Sequence, residues 1–132
     1  MERIVTGCRG FLRARIQVHG RAAHSGSASN RGVNAISRGA QLVQRLEALI
    51  LPRGTADFRL PAQLTVTGIE GGGEGFGQIP DRCAIALDIR LTPSFGAERA
   101  RALVDDSLAR LDADAPELAP STVEWIPGWP AY

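Results

Sequence analysis

The run V-H-G-R-A-A-H-S-G-S-A-S-N-R-G-V-N-A-I, from Val18 to Ile36, holds both histidines of the chain, His19 and His24. Imidazoles can ligate a metal, serve as a general base, or donate a hydrogen bond to a developing oxyanion. A metal centre is disfavoured, because the pair has no third carboxylate or thiolate at a recognised spacing and a zinc site needs three or four such donors. Ser25 adjoins His24, but the members of a nucleophilic triad meet from separate elements, and G-x-S-x-G is absent. What remains for His24 is hydrogen-bond donation to an oxyanion in a site built mainly by another chain or domain. On the residues alone, a surface histidine with no role is the favoured reading.

Arg90 is the other candidate, because a guanidinium binds a carboxylate through two parallel hydrogen bonds. Cys8 and Cys83 are too far apart in sequence to form a metal or redox motif. The glycine-rich stretch Gly71 to Gly77, G-G-G-E-G-F-G, does not fit G-x-G-x-x-G and precedes no G-K-[ST], so it is expected to be a mobile connection rather than a nucleotide loop.

These residues need a scaffold. At 132 residues the chain suits one core, and residues 1–132 are taken as a single domain. With 15 Lys+Arg against 14 Asp+Glu the formal charge is +1, which gives no support to nucleic-acid or anionic-membrane binding. No export signal opens the sequence and no apolar run is long enough to span a bilayer. The chain is therefore expected in the cytoplasm with both thiols reduced.

Strict alternation from Phe11 to His19 puts Leu12, Ala14, Ile16 and Val18 on one side and Arg13, Arg15, Gln17 and His19 on the other, the pattern of a half-buried strand. Val33, Ile36, Ala40, Val43, Leu46 and Ile50 then recur at helical spacing, with Asn30 as N-cap and Pro52 with Gly54 beyond the end. Gln63 to Ile69 alternates less cleanly and reads as an edge strand. In the next strand Cys83, Ile85, Leu87, Ile89 and Leu91 share a face, and Pro93 ends it. Ser94 is expected to open a second helix carrying Ala100, Leu103, Val104, Leu108 and Leu111. A linker from Asp112 to Glu117 leads to a last strand around Thr122 to Ile126, with an irregular tail P-G-W-P-A-Y.

The order β-α-β-β-α-β, with one apolar face per strand and one stripe per helix, predicts an α+β ferredoxin-like sandwich: a four-stranded antiparallel sheet with two helices on one face. Its other face would present Arg13, Arg15, Gln17, His19, Thr65, Thr67, Arg82, Asp88 and Arg90 to solvent, a second domain or an anionic ligand. Exposed aromatics on the central strands, which a base-stacking RNA surface needs, are not expected there. In this topology the chain ends lie close together, which suits insertion into another domain.

Three segments carry a resemblance: G-R-A-A-H-S-G from Gly20 to Gly26, R-G-V-N-A-I from Arg31 to Ile36, and I-P-D-R-C-A-I-A-L-D-I-R-L-T-P from Ile79 to Pro93. Together, and in order, they resemble the dimerisation (lid) domain of the zinc aminoacylase/carboxypeptidase family. That family includes acetylornithine deacetylase, succinyl-diaminopimelate desuccinylase, aminoacylase and glutamate carboxypeptidase. The resemblance covers nearly the whole chain. It implies a homodimer, formed through the Gln63–Ile69 edge strand and the Val33–Ile50 helix, and a catalytic domain of the same parent chain that holds zinc and cleaves amide bonds in peptide or amino-acid-derived substrates. His24 matches the lid histidine that polarises the scissile carbonyl in the partner subunit's site. Arg90 matches the arginine that holds a substrate carboxylate, and Asn34 an asparagine of structural role. Gly77 departs from the family, which often has a substrate-contacting Asn there. Because H-x-D and E-E metal motifs are absent, this chain alone is expected to bind no catalytic zinc and to hydrolyse nothing. The alternative is a free-standing ferredoxin-like module for small-molecule binding or oligomerisation.

Overall fold

A computed structural model describes residues 8–26, 31–72 and 75–131. Eight elements follow one another: β1 (Gly10–His19), β2 (Ala23–His24), α1 (Ala35–Glu47), β3 (Gln63–Gly71), β4 (Gln78–Ile79), β5 (Arg82–Leu91), α2 (Ala97–Ala113) and β6 (Thr122–Trp129). The longer strands form one antiparallel sheet in the order β3-β5-β1-β6, and β2 pairs with β4 in a separate two-stranded ladder. This is the expected ferredoxin-like arrangement, with the first and last strands as neighbours. No helix among the described residues is long and apolar enough to cross a membrane.

The alternating pattern places the core. Leu12, Ala14, Ile16 and Val18 of β1 and Cys83, Ile85, Leu87, Ile89 and Leu91 of β5 are all buried, under Leu42 and Leu46 of α1 and Ala100, Val104, Leu108 and Leu111 of α2. Each fully buried Leu, Ile or Val side chain contributes about 1.5–3 kcal/mol of transfer free energy, so these two central strands dominate the stability of the sheet.

α1 departs from expectation in three ways. Its N-cap is Asn34, whose Oδ1 accepts from the backbone N–H groups of Ile36 (2.9 Å) and Ser37 (3.3 Å). Asn30, the expected cap, lies outside the described residues. Val33 pairs instead in an isolated bridge with Arg21, and the helix ends at Glu47, leaving Ile50 beyond it and exposed. Third, the buried stripe is Ala35, Arg38, Gly39, Leu42 and Leu46. Of the expected stripe Leu46 is buried in the core and Val43 packs partly buried against it, while Ile36 is 39% exposed. The sequence carries two stripes offset by about one position, and the core-facing one was concealed by an arginine and a glycine.

Gly39 explains how α1 reaches the sheet. A Cβ there would lie 2.5 Å from Sγ of Cys83, so the helix backbone rests directly on β5. Burial in this contact pushes the Cys83 thiol up, keeping it protonated. Gly39→Ala gains up to about 1 kcal/mol of helix propensity but overpacks the seam at a cost of about 1–3 kcal/mol. A net loss is expected in a denaturant titration, recovered when Cys83→Ala is added. A Gly39→Ala variant more stable than the parent would show that α1 does not press on β5.

Arg38, buried beside Gly39, is the other surprise. Its guanidinium donates to the carbonyl of His19, to the carbonyl of Leu111 (3.2 Å) and to Asp112 Oδ1 (3.4 Å). Asp112 sits in the last turn of α2 rather than in a linker, and it also accepts from Ser121 N and Oγ, both at 2.8 Å. One buried cation thus ties together the end of β1, both helices and the approach to β6. Satisfaction extends further: among the described residues no buried side-chain N or O atom lacks a hydrogen-bond partner.

Two boundaries and one strand register also differ from expectation. α2 starts at Ala97, not Ser94, because Thr92 and Phe95 exchange backbone hydrogen bonds across Pro93–Ser94, which buries Phe95. β6 runs on through Pro127 to Trp129, where a break was expected; an edge strand tolerates Pro, and a register shift opposite Phe11–Arg13 absorbs the irregularity. In β3, a shift between Val66 and Gly68 takes up one residue, so Ile69 returns to the helix side opposite Ile85. That bulge is why the alternation of this edge strand looked imperfect.

Candidate functional site

His24 lies in β2, immediately beyond the end of β1. Ala23 pairs with Ile79 and His24 with Gln78, and Ser25 N donates to the carbonyl of Gly77 at 2.8 Å. The histidine segment and the glycine-rich connection, separate in sequence, are therefore one ladder. Gly72 and Gly75 adopt φ of 73° and 78°, the left-handed region that favours glycine, as the stretch turns from β3 towards β4. Gly73 and Glu74 lie outside the described residues.

The imidazole of His24 is oriented by its own loop. Nδ1 accepts from the backbone N–H of Gly26 at 3.2 Å. A neutral ring that accepts at Nδ1 carries its proton on Nε2, so the outward-facing atom is a donor. Gly77 stands on that side: a Cβ built on it would be 3.7 Å from Nε2. The position marked by its departure from the family pattern is thus in contact range of His24, a proximity that sequence spacing could not show.

Arg90 occupies the other end of the sheet. The strand register aligns its polar face in rows: Gln63, Arg90, Phe11 and Trp129, then Thr65, Asp88, Arg13 and Ile126. Arg90 Nε donates to Asp88 Oδ2 and Arg13 Nε to Asp88 Oδ1, both at 2.9 Å. The Arg13 guanidinium lies 4.5 Å from the centroid of the Phe11 ring, and Phe11 meets Trp129 edge-on at 4.2 Å. These aromatics were missed. Phe11 is on central strand β1 and on the polar face, where the sequence reading expects none, and Trp129 falls in the stretch that reads as an irregular tail. The odd-numbered alternation of β1 already implied the face of Phe11.

His24 and Arg90 are not brought together within one chain. Arg90 pairs with Phe11 while the far end of the ladder pairs His19 with Arg82. At roughly 3.4 Å per residue, about 27 Å of strand separates those rows. Nor do the described residues include a group of three or more His, Cys, Asp or Glu placed to hold a metal ion.

Comparison with known proteins matches this architecture. The sequence model of the peptidase dimerisation domain aligns with residues 6–116. A curated relative, succinyl-diaminopimelate desuccinylase 2 from Shewanella loihica, is 36% identical over 87 residues, covering 66% of this chain and 22% of its own length. Among solved structures, a hydantoinase/carbamoylase family amidase from Burkholderia ambifaria superposes with a TM-score of 0.76 at 20% identity, over 96% of this chain and 30% of that one. An aminobenzoyl-glutamate utilization protein from Klebsiella pneumoniae gives 0.74 at 18% identity, over 93% and 29%. At such identities the superpositions speak for the fold alone. The chain spans about a fifth of the curated relative and under a third of these structures. The sequence match runs from the first strand of the sheet to the end of the second helix, and on it the chain belongs to the dimerisation-domain family of the M20 peptidases.

Proposed function

We propose that this domain serves as the lid and dimerisation element of a zinc-dependent hydrolase acting on amide bonds of peptides or N-acyl amino acids, in the cytoplasm, with the zinc on a catalytic domain of the same parent protein. The observation that carries the dimer is an apolar seam at one sheet edge. β3 is an edge strand, Ile69 on it is 50% exposed, and Ile36 on the neighbouring outward stripe of α1 is 39% exposed. Large aliphatic side chains beside an unpaired strand edge suit a two-fold contact in which β3 meets its copy and the α1 helices pack alongside. The chain is expected to sediment as a dimer in analytical ultracentrifugation, and Ile36→Glu with Ile69→Glu to sediment as a monomer. Monomer at high concentration without the substitutions would sink the dimer.

His24 is proposed as the oxyanion donor and Arg90 as the carboxylate clamp. Their separation along the sheet has a consequence. A substrate of amino-acid size cannot touch both residues of one chain, so any active site that uses both takes His24 from one protomer and Arg90 from the other. Arg90→Ala should raise KM chiefly for substrates with a free carboxylate, by about tenfold or more, the scale of a lost charge-assisted pair. An equal rise for uncharged analogues would refute the clamp.

A further inference from the structure

The end of the open sheet face carries more positive charge than one clamp requires. Next along that face Arg15 and Glu124 pair one to one at 3.0 Å. Around Arg90 the balance differs. Asp88, its side chain 17% exposed, is shared by Arg13 and Arg90, one guanidinium on each carboxylate oxygen. The two cations are therefore separated by little more than the width of a carboxylate and two hydrogen bonds. Arg9 stands beside them, donating to Gln63 Oε1 at 2.6 Å and to the carbonyl of Pro61 at 3.1 Å, and Gln63 is the cross-strand neighbour of Arg90. Asp88 thus holds two arginines in this corner, with Arg9 as a third cation beside them.

Asp88 holds Arg13 and Arg90 through Nε. Among the described residues no hydrogen bond engages the Nη groups of either, and their side chains remain 49% and 39% exposed. Held at Nε, each guanidinium has lost rotamer freedom before a ligand arrives, which lowers the entropic cost of binding. The Phe11 ring, braced edge-on by Trp129, carries the Arg13 guanidinium and helps fix it, and an open cleft of about 420 Å³ is lined by Arg13, Thr67, Asp88, Arg90 and Ile126.

We propose that Arg13 is a second carboxylate-binding residue beside Arg90, and that the corner selects a ligand bearing two carboxylates joined by a short hydrocarbon stem. One carboxylate meets the Nη edge of Arg90, the other that of Arg13, and the stem lies in the cleft that Thr67 and Ile126 line beside them. Asp88 is the positioning residue that spaces the two guanidinium groups. This proposal rests on the reading of Arg90 as a carboxylate site and adds to it the class of ligand.

The test is an NMR titration of the chain, following the Nε–H resonances of Arg13 and Arg90. N-acetyl-L-glutamate, N-acetyl-L-glutamine and inorganic phosphate are the probes; the first two differ by one carboxylate. N-acetylglutamate should shift both resonances and bind about tenfold more tightly than N-acetylglutamine, the scale of one added charge-assisted contact. Arg13→Gln should erase that ratio, weakening N-acetylglutamate far more than N-acetylglutamine. Arg13→Lys, which keeps the charge but not the fork, should recover only part of it. A ratio that survives in Arg13→Gln, or phosphate binding as tightly as N-acetylglutamate, overturns the second site while Arg90 stands. N-acetylglutamine binding indifferent to Arg90→Gln, or no shift from any probe, removes the Arg90 reading as well. Amide spectra of each variant confirm that the fold persists.

Discussion

In the amide hydrolase proposed above, His24→Ala is expected to lower kcat by about a hundredfold or more, with KM changed far less, because an oxyanion donor acts on charge that develops only in the transition state. The geometry behind this is specific. Gly26 N–H occupies Nδ1 and so directs the proton of the neutral ring to Nε2, and Gly77 places no side chain in front of that atom. Mixing subunits adds a sharper measurement. If His24 serves the neighbouring subunit, an inactive His24→Ala enzyme combined with one inactivated in its catalytic domain should regain part of the activity, since a heterodimer rebuilds one complete site. A near-normal kcat for His24→Ala would remove the residue from the mechanism. No recovery on mixing, alongside a low kcat, would place it in its own subunit's site.

The second large effect concerns stability. Arg38→Met is expected to destabilise the domain by about 3 kcal/mol, read as a fall in the urea midpoint at unchanged m value. Methionine keeps much of the stem volume, so the loss reports the guanidinium. Removing it strips a donor from the carbonyls of His19 and Leu111 and leaves Asp112 to the two bonds from Ser121 alone. Arg38→Lys should recover little, since one ammonium cannot span acceptors on β1 and α2 as the planar fork does. A loss within about 0.5 kcal/mol, the range of surface substitutions, would show that the network contributes little.

Both predictions depend on features that differ in how visible they were. His24 stood out by type and by the G-R-A-A-H-S-G segment around it, and Arg90 by its D-I-R setting. Arg38 did not, because an arginine within a helix usually faces water, and its partners His19 and Asp112 lie far away along the chain. The same reason hid the proximity of Gly77 to His24: two short segments meet only because β2 and β4 pair beyond the end of the sheet.

Local pattern was enough to identify β1, β5, the core stripe of α2, the β-α-β-β-α-β order and hence the sandwich, since period and apolar content are properties of contiguous residues. Tertiary structure decided the rest. It chose which of two offset stripes on α1 faces the sheet, because only the Gly39–Cys83 contact lets the helix settle there. It also carried β6 through Pro127 to Trp129, because the bulge against β1 could absorb the break. Above all it set His24 in a small ladder beyond one end of the main sheet and Arg90 near the other end. Strand register determines such distances, and register arises from pairing between segments that the linear sequence leaves far apart.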